Sequence, residues 1–199
     1  MLNYSLTKNW WMSTGKKTVS PEALRAEWLE IEAAQRDPAL FRPLYNRYYE
    51  PVFRFIYRRT VDESLTADLC SQVFLKAMQK LSGYEFKGVP FSSWLFRIAI
   101  TETAQHFRQV QRNRVVSIED ASLLDLMTEM EEPVNDDSRQ WDLVGVLDQL
   151  KETDLALIEL RFFEQRPFKE IAEILGMTES NAKVKTYRIL ERLKRKLTP

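Results

Sequence analysis

The 199-residue chain is poor in the residues that do metal, redox and turn chemistry: one cysteine, one histidine and five glycines. A single thiol, Cys70, excludes an internal disulfide and a cysteine zinc cluster. With His106 the lone imidazole, no nucleophile–base pair or metal set can be assembled, and neither residue reads as catalytic. The expectation is no enzyme activity and no cofactor. Apolar runs are short and broken by charge, so none spans a bilayer. The opening residues, MLNYSLTKNWWMSTGKK, lack the apolar stretch and cleavage site of a secretory signal. A cytoplasmic protein without membrane insertion is expected. So few glycines, beside long helix-period patterns, point to an all-α fold.

Net charge is also lacking, because 29 basic residues balance 29 acidic ones. The balance hides a segregation. Asn181 to Leu197 hold seven basic residues and one acid, whereas Ser117 to Asp142 hold nine acids and one base. Such asymmetry marks a polyanion-binding surface and a solvated acidic segment. The 44% apolar content supplies a core to each half.

Periodicity divides the chain into a poorly ordered extension (1–20), a helical domain (21–116), an acidic linker (117–140) and a second helical domain (141–199). Ser20 and Pro21 form a helix start, followed by Leu24, Trp28 and Ile31 at helical spacing. Leu40, Leu44 and Tyr48, then Val52, Phe55 and Ile56, continue helically, with Pro51 marking a kink or boundary. Leu65, Leu69, Val73, Ala77 and Leu81 line one face. SGYEFKGVP is a loop by its Gly and Pro. The next helix is capped by Ser92 or Ser93, with Leu95, Ile98, Ala99, Glu102 or Thr103, and Phe107 inward. The acidic linker holds at most a transient turn.

FKEIAEILGMTESNAKVKTYRILERL has the form of a helix-turn-helix. Ile171, Ala172 and Leu175 face inward, Gly176 suits a left-handed C′ position, and Thr178 can cap the second helix. Ala182, Thr186, Ile189 and Leu193 then share one face, leaving Ser180, Lys183, Val184, Tyr187, Arg188 and Glu191 on the other. Polar residues at the start of a recognition helix read base edges, and Lys and Arg beyond them grip phosphate. A merely solvated helix would mix its charges more evenly, and a membrane-surface helix would flank them with Trp or Phe. In GYEFKGVPFSSWLFRIAITETAQHFRQVQRNR, aromatic residues interleave with Lys87, Arg97, Arg108, Arg112 and Arg114. Unpaired bases stack on such rings while cations track the backbone. Each ring alone fits a core equally well.

Together the segments resemble bacterial RNA polymerase sigma factors of the extracytoplasmic-function (ECF) group. LYNRYYEPVFRFIYRR, ADLCSQVFLKAMQKL and FSSWLFRIA resemble sigma region 2; LDQLKETDLALIELRFFEQRPFKEIAEILGMTESNAKVKTYRILERLK resembles region 4. The resemblance implies two small helical domains joined by the acidic linker. It implies a factor that binds core RNA polymerase and starts transcription at chosen promoters. Region 2 would bind the clamp coiled coil of the largest subunit through Asp68, Ser71 and Gln72. It would capture a flipped −10 base with Phe86, Lys87, Gly88 and Val89, and melt the duplex with Trp94, Arg97, Thr101, Arg108 and Arg112. Region 4 would read the −35 element with Thr178, Ser180, Asn181, Lys183, Lys185, Tyr187 and Arg188, and dock on the flap of the second-largest subunit. The linker, whose acids repel DNA, would run through a basic channel of the polymerase. The family also implies an anti-sigma protein as regulator; the sequence carries no sign of one either way. Some residues depart from the family pattern. Ser71-Gln72 stand for the usual Gln-Glu, Thr101 for Asn, Gln105 for Asp, and Val184 and Thr186 for Ser and Leu. Two other classes compete: a helix-turn-helix regulator with an N-terminal sensing domain, and a helical adaptor with an acidic partner.

Overall fold

The computed structural model describes residues 19–110, 120–130 and 137–197, without the side chains of 120–124 and 137–142. The disorder expected at the N-terminus concerns residues that are, but for two, outside this range; Arg112, Arg114 and Pro133 also lie outside it. Among the described residues every regular element is helical.

Helix α1 (Pro21–Arg36) starts as its sequence predicts: the Ser20 hydroxyl accepts the Ala23 amide at 3.2 Å, with Pro21 in the first turn. It buries Ile31, Ala34 and, unexpectedly, Glu27. A 3-10 turn over Pro38–Phe41 leads to α2 (Arg42–Thr60). Leu40 falls on this tighter turn, which breaks the helical register, and is exposed. No boundary occurs at Pro51, and α2 runs through it. A proline removes one backbone donor, and buried Leu44, Val52, Phe55 and Ile56 hold the helix on both sides. Helix α3 (Glu63–Lys80) is capped by Asp62, whose carboxylate accepts the Leu65 amide at 2.9 Å, and buries Leu69, Val73 and Ala77 as predicted.

Helix α4 (Phe91–Val110) departs from its predicted cap. Ser92 and Ser93 are buried within the first turn, and the Phe91 amide donates to the Glu27 carboxylate at 2.8 Å. The cap thus comes from α1. The inner face is as predicted: Leu95, Ala99, Glu102 and Thr103 are buried, and Ile98 and Phe107 half-buried. Phe96 meets Phe55 edge-on with ring centroids 5.0 Å apart. Burial within this bundle pushes the Cys70 thiol up to about 12, which keeps it protonated and inert.

The second body comprises α5 (Asp120–Glu129), α6 (Asp137–Asp148), α7 (Glu152–Ile158), a π turn over Glu159–Phe163, α8 (Phe168–Leu175) and α9 (Glu179–Leu197). Helix α5 lies where only a transient turn was expected. Leu126, Met127 and Met130 form an apolar edge in the acidic stretch and are buried, and the Lys194 ammonium donates to the Met130 carbonyl at 3.0 Å. Between α8 and α9 the backbone turns at Gly176 with φ 66°, the left-handed conformation its sequence position predicts. Thr178 accepts the Asn181 amide at 3.2 Å, and Ala182, Thr186, Ile189 and Leu193 are buried. Ile174, absent from the predicted inner face of α8, is buried too, while Leu175 is half-buried. Substituting Gly176→Ala places a Cβ on left-handed backbone and is expected to cost about 1–2 kcal/mol, measurable by urea unfolding.

The two bodies are in contact, α4 against α8. Arg59, at the end of α2, is wholly buried and donates to Glu159 and Glu152 of the second body. Arg58 pairs with Glu164 at 2.5 Å. Arg166 donates to the Ser92 hydroxyl at 2.9 Å and lies over the Phe96 ring.

Candidate nucleic-acid interface

Three faces gather the residues singled out by sequence. The first is on α9. Burial of Ala182, Thr186, Ile189 and Leu193 turns the opposite side outward, because residues three and four apart share a helix face. Ser180, Asn181, Lys183, Val184, Tyr187 and Arg188 are all exposed, Tyr187 to 54%. Thr178 is also exposed, but its hydroxyl is committed to the helix cap. Lys183 pairs with Glu179 at 2.9 Å, an exposed pair that gives way readily. Lys185 differs: it is half-buried, turned toward Asp154 at 3.6 Å, and so off the outward face. Arg192 meets the same carboxylate at 2.7 Å. This face can enter a groove and offer cations to phosphate.

The second face joins the 84–90 loop to α4. Trp94, Arg97, Thr101 and Arg108 recur at helical spacing along one side of α4, and Arg97, Thr101 and Arg108 are exposed. The Thr101 hydroxyl donates to the Arg97 carbonyl at 2.9 Å, and Arg108 to the Ala104 carbonyl at 3.3 Å. In the loop, Phe86 and Lys87 are exposed but Val89 is buried, so Val89 shapes the loop rather than presenting a surface. Gly88 sits at φ 68°. Loop and helix enclose a cleft of about 530 Å³ between Lys80, Tyr84, Lys87, Trp94 and Arg97. Ser93 also lines it, and its buried hydroxyl has no hydrogen-bond partner among the described residues. Cations, rings and a spare hydroxyl around a concave space suit an unpaired base with its phosphate.

Helix α1 supports this loop, a role that the apolar spacing of Leu24, Trp28 and Ile31 did not signal. Gln35 donates to the carbonyls of Leu81 and Tyr84 at 2.9 and 2.8 Å. Trp28 lies against Tyr84 and Phe86, with centroids 6.3 and 5.7 Å apart. Glu27, which caps α4, accepts from the Tyr48 hydroxyl. Burial and that carboxylate push the Tyr48 phenol upward, so it stays a donor; burial likewise raises Tyr84 to about 12. Burial of the Glu27 carboxylate, set by how α1 docks, is what reveals this role, because a buried carboxylate needs donors.

The third face is on α3. Asp68, Ser71 and Gln72 are exposed on one side, next to Leu75, which is 56% exposed. The Ser71 hydroxyl bonds back to the Ala67 carbonyl at 2.8 Å. Polar residues around an exposed leucine have the make-up of a small contact patch, an apolar centre with a polar rim. Among the described residues no cluster of histidine, cysteine and carboxylates could hold a metal, and no helix is long and apolar enough to cross a membrane.

Comparison with known proteins agrees with this layout. The model of sigma-70 region 2 matches residues 44–113, and that of sigma-70, region 4 matches residues 141–193. The chain is 30% identical over 146 residues to the RNA polymerase sigma factor SigV of Bacillus subtilis, covering 72% of this chain and 81% of that protein. It is 28% identical over 169 residues to the ECF RNA polymerase sigma factor BldN of Streptomyces coelicolor, covering 84% of this chain. The match spans 64% of the length of BldN. Among solved structures, CnrH in complex with the cytosolic domain of CnrY shares the fold, with a TM-score of 0.59 at 18% identity over 87% of this chain and 95% of that one. With region 2 occupying most of the N-terminal half, a regulator with an N-terminal sensing domain and a helical adaptor are both disfavoured. Two region models in the expected order, and relatives named as sigma factors along most of its length, place the chain in the sigma-70 family, ECF group.

Proposed function

We propose that the chain binds core RNA polymerase and starts transcription at promoters whose −35 element is read by α9 and whose −10 element is opened and read by α4 and the 84–90 loop. The observation that carries this is the outward face of α9, where Ser180, Asn181, Lys183, Val184, Tyr187 and Arg188 stand clear of the core. Region 2 would meet the polymerase clamp through Asp68, Ser71 and Gln72, and region 4 the flap. The site of action is the cytoplasm, where the polymerase works. The sigma factor RpoE, which shares this fold, is described in complex with the anti-sigma factor NepR from Bartonella quintana; a partner of that kind fits this chain as its regulator.

No catalytic side chain is required. Each body alone makes a few salt-sensitive phosphate contacts, and joining two on one chain raises the overall affinity by effective concentration. Opening the duplex costs roughly 1.4 kcal/mol of stacking per step, offset by holding the unpaired strand. In the cleft, Trp94 and Tyr84 offer ring faces, Lys80, Lys87 and Arg97 offer charge, and the Ser93 hydroxyl can bond a base edge.

Reconstitution with core polymerase, promoter selection from random DNA and run-off transcription test the reading. Substituting Arg188→Ala is expected to cost about 1–3 kcal/mol in promoter affinity and relax discrimination at one −35 position. Substituting Lys183→Ala should weaken all sequences alike and lower the salt slope by about one. A chain that confers no promoter-specific initiation on core enzyme would overturn the proposal.

A further inference from the structure

Helix α5 belongs by sequence to the linker, yet it is seated on the second body. It packs on the π turn Glu159–Phe163, whose Leu160, Phe162 and Phe163 are buried. Of its described side chains and those of the turn that ends it, Leu126, Met127 and Met130 face inward, each at most 3% exposed, while Asp125, Thr128 and Glu129 are exposed. Two polar contacts close the rim. The Gln165 amide donates to the Asp125 carboxylate at 3.4 Å. The Lys194 ammonium, in the last turn of α9, donates to the Met130 carbonyl at 3.0 Å. That carbonyl lies at the C-terminal end of α5, where a helix gathers negative partial charge.

The seat itself has uncommon backbone. π turns are rare and recur at functional sites. Gln165 stands just beyond this one at φ 52°, a left-handed conformation that is costly without glycine and that clusters where ligands are held. It is the same residue that meets Asp125. The seat thus offers an apolar floor with donors at its rim, Gln165 and Lys194. Its complement is a short amphipathic helix with an apolar row and acceptors to match.

We infer that this seat is where the second body takes the polymerase flap, and that α5 is a resident stand-in which the flap replaces. This rests on the proposed function, in which region 4 meets the flap, and on the path of the acidic linker through a basic channel of the polymerase. Drawing the linker into that channel pulls α5 from its seat, because α5 is part of the linker. Core polymerase therefore both removes the resident helix and supplies its replacement, whereas a partner that left the linker in place would find the seat filled. The hold is suited to exchange. A helix of ten residues is marginal by itself, and rim hydrogen bonds open to water add little net stability. Release also lengthens the tether between the two readers, since the ten residues span about 15 Å as a helix and about 33 Å extended.

The test uses the full chain with Cys70→Ala, Asp125→Cys and Gln165→Cys, both new thiols at exposed positions and joined by a short bis-maleimide so that α5 cannot leave. The reference is the same variant with each thiol capped separately. Affinity for core polymerase should be about tenfold weaker for the joined chain, and run-off transcription should fall with it. With core polymerase lacking the flap tip, joined and capped chains should bind alike. Substituting Met127→Asp in the parent chain, which unseats α5, should tighten binding to intact core by about three- to tenfold, the gain when a competitor leaves a site it mostly fills. Should that variant unfold the second body, seen as lost binding to a −35 duplex, the joined chain still decides. Equal affinity of joined and capped chains for intact core overturns the exchange and makes α5 a fixed part of the second body. A difference that persists without the flap tip overturns the flap as occupant. If the parent chain gives no promoter-specific initiation, the functional reading falls first, and the flap assignment with it.

Discussion

Substituting Arg59→Ala is expected to destabilise the chain by about 3–5 kcal/mol, because removing one partner of a buried pair strands the other charge. Arg59 is 1% exposed and Glu159 is 1% exposed. Burial already pushes the Glu159 carboxyl above its ordinary range, against the pull of Arg59; without the guanidinium nothing opposes that rise. A carboxyl whose pKa is raised on folding favours the folded form at pH below its ordinary value and loses that advantage as pH climbs through the raised one. The variant should therefore be weakest at neutral pH and recover part of its stability under mildly acidic conditions. Glu152 has an easier escape, being half-exposed and able to turn to water. The measurement is urea unfolding followed by circular dichroism, at pH 7 and again near pH 5. Replacing the pair together, Arg59→Met with Glu159→Leu, should restore most of the loss, since a well-packed apolar substitute for a buried pair is often neutral. A single-variant loss under 1 kcal/mol would refute the buried pair as drawn.

The second large effect is expected from Phe91→Ala, again about 3–5 kcal/mol, the usual cost of removing a buried aromatic side chain. Phe91 is wholly buried where four rings converge: Tyr84 at 5.2 Å, Trp94 at 5.4 Å, Tyr48 at 6.2 Å and Phe41 at 6.3 Å. Tyr84 and Phe41 meet it edge-on, and such contacts contribute beyond the area they bury. Tyr84 and Trp94 also wall the cleft proposed for the −10 base. The cavity should therefore loosen that wall before it unfolds α9. Promoter opening, followed by permanganate reactivity of unpaired thymines, should fall more than −35 footprinting does. Substituting Phe91→Leu, which keeps most of the volume, should recover stability ahead of opening. Equal loss of both readouts would show that the ring serves only the general fold.

Much of this was legible beforehand because it is local. The apolar repeats of α3 and α9, the Ser20 and Thr178 caps and the left-handed turn at Gly176 each depend on residues within about one or two turns of one another. So does the outward face of α9, since whatever buries Ala182 and Ile189 must expose Lys183, Tyr187 and Arg188. The boundary allowed at Pro51 and the lack of a stable helix in the acidic stretch failed for one reason. A proline or a run of carboxylates disfavours a helix in isolation, but tertiary burial of Val52 and Phe55, or of Leu126 and Met127, outweighs that preference.

The remaining features join residues far apart in sequence, and no periodicity announces them. Glu27 reaches an amide 64 positions away, Arg97 a carbonyl 77 positions away, and Arg59 a carboxylate 100 positions away. From Glu27, Gln35, Arg59 or Glu173 alone one reads only a polar residue on a helix; which partner it meets is set by how the helices dock. Sequence by itself determined most of the helices, the outward face of α9 and membership in a family, because these follow from side-chain spacing along one element. Only the tertiary structure decided that α1 braces the loop and that α8 closes over Arg97, because burial of charge is a property of two surfaces meeting.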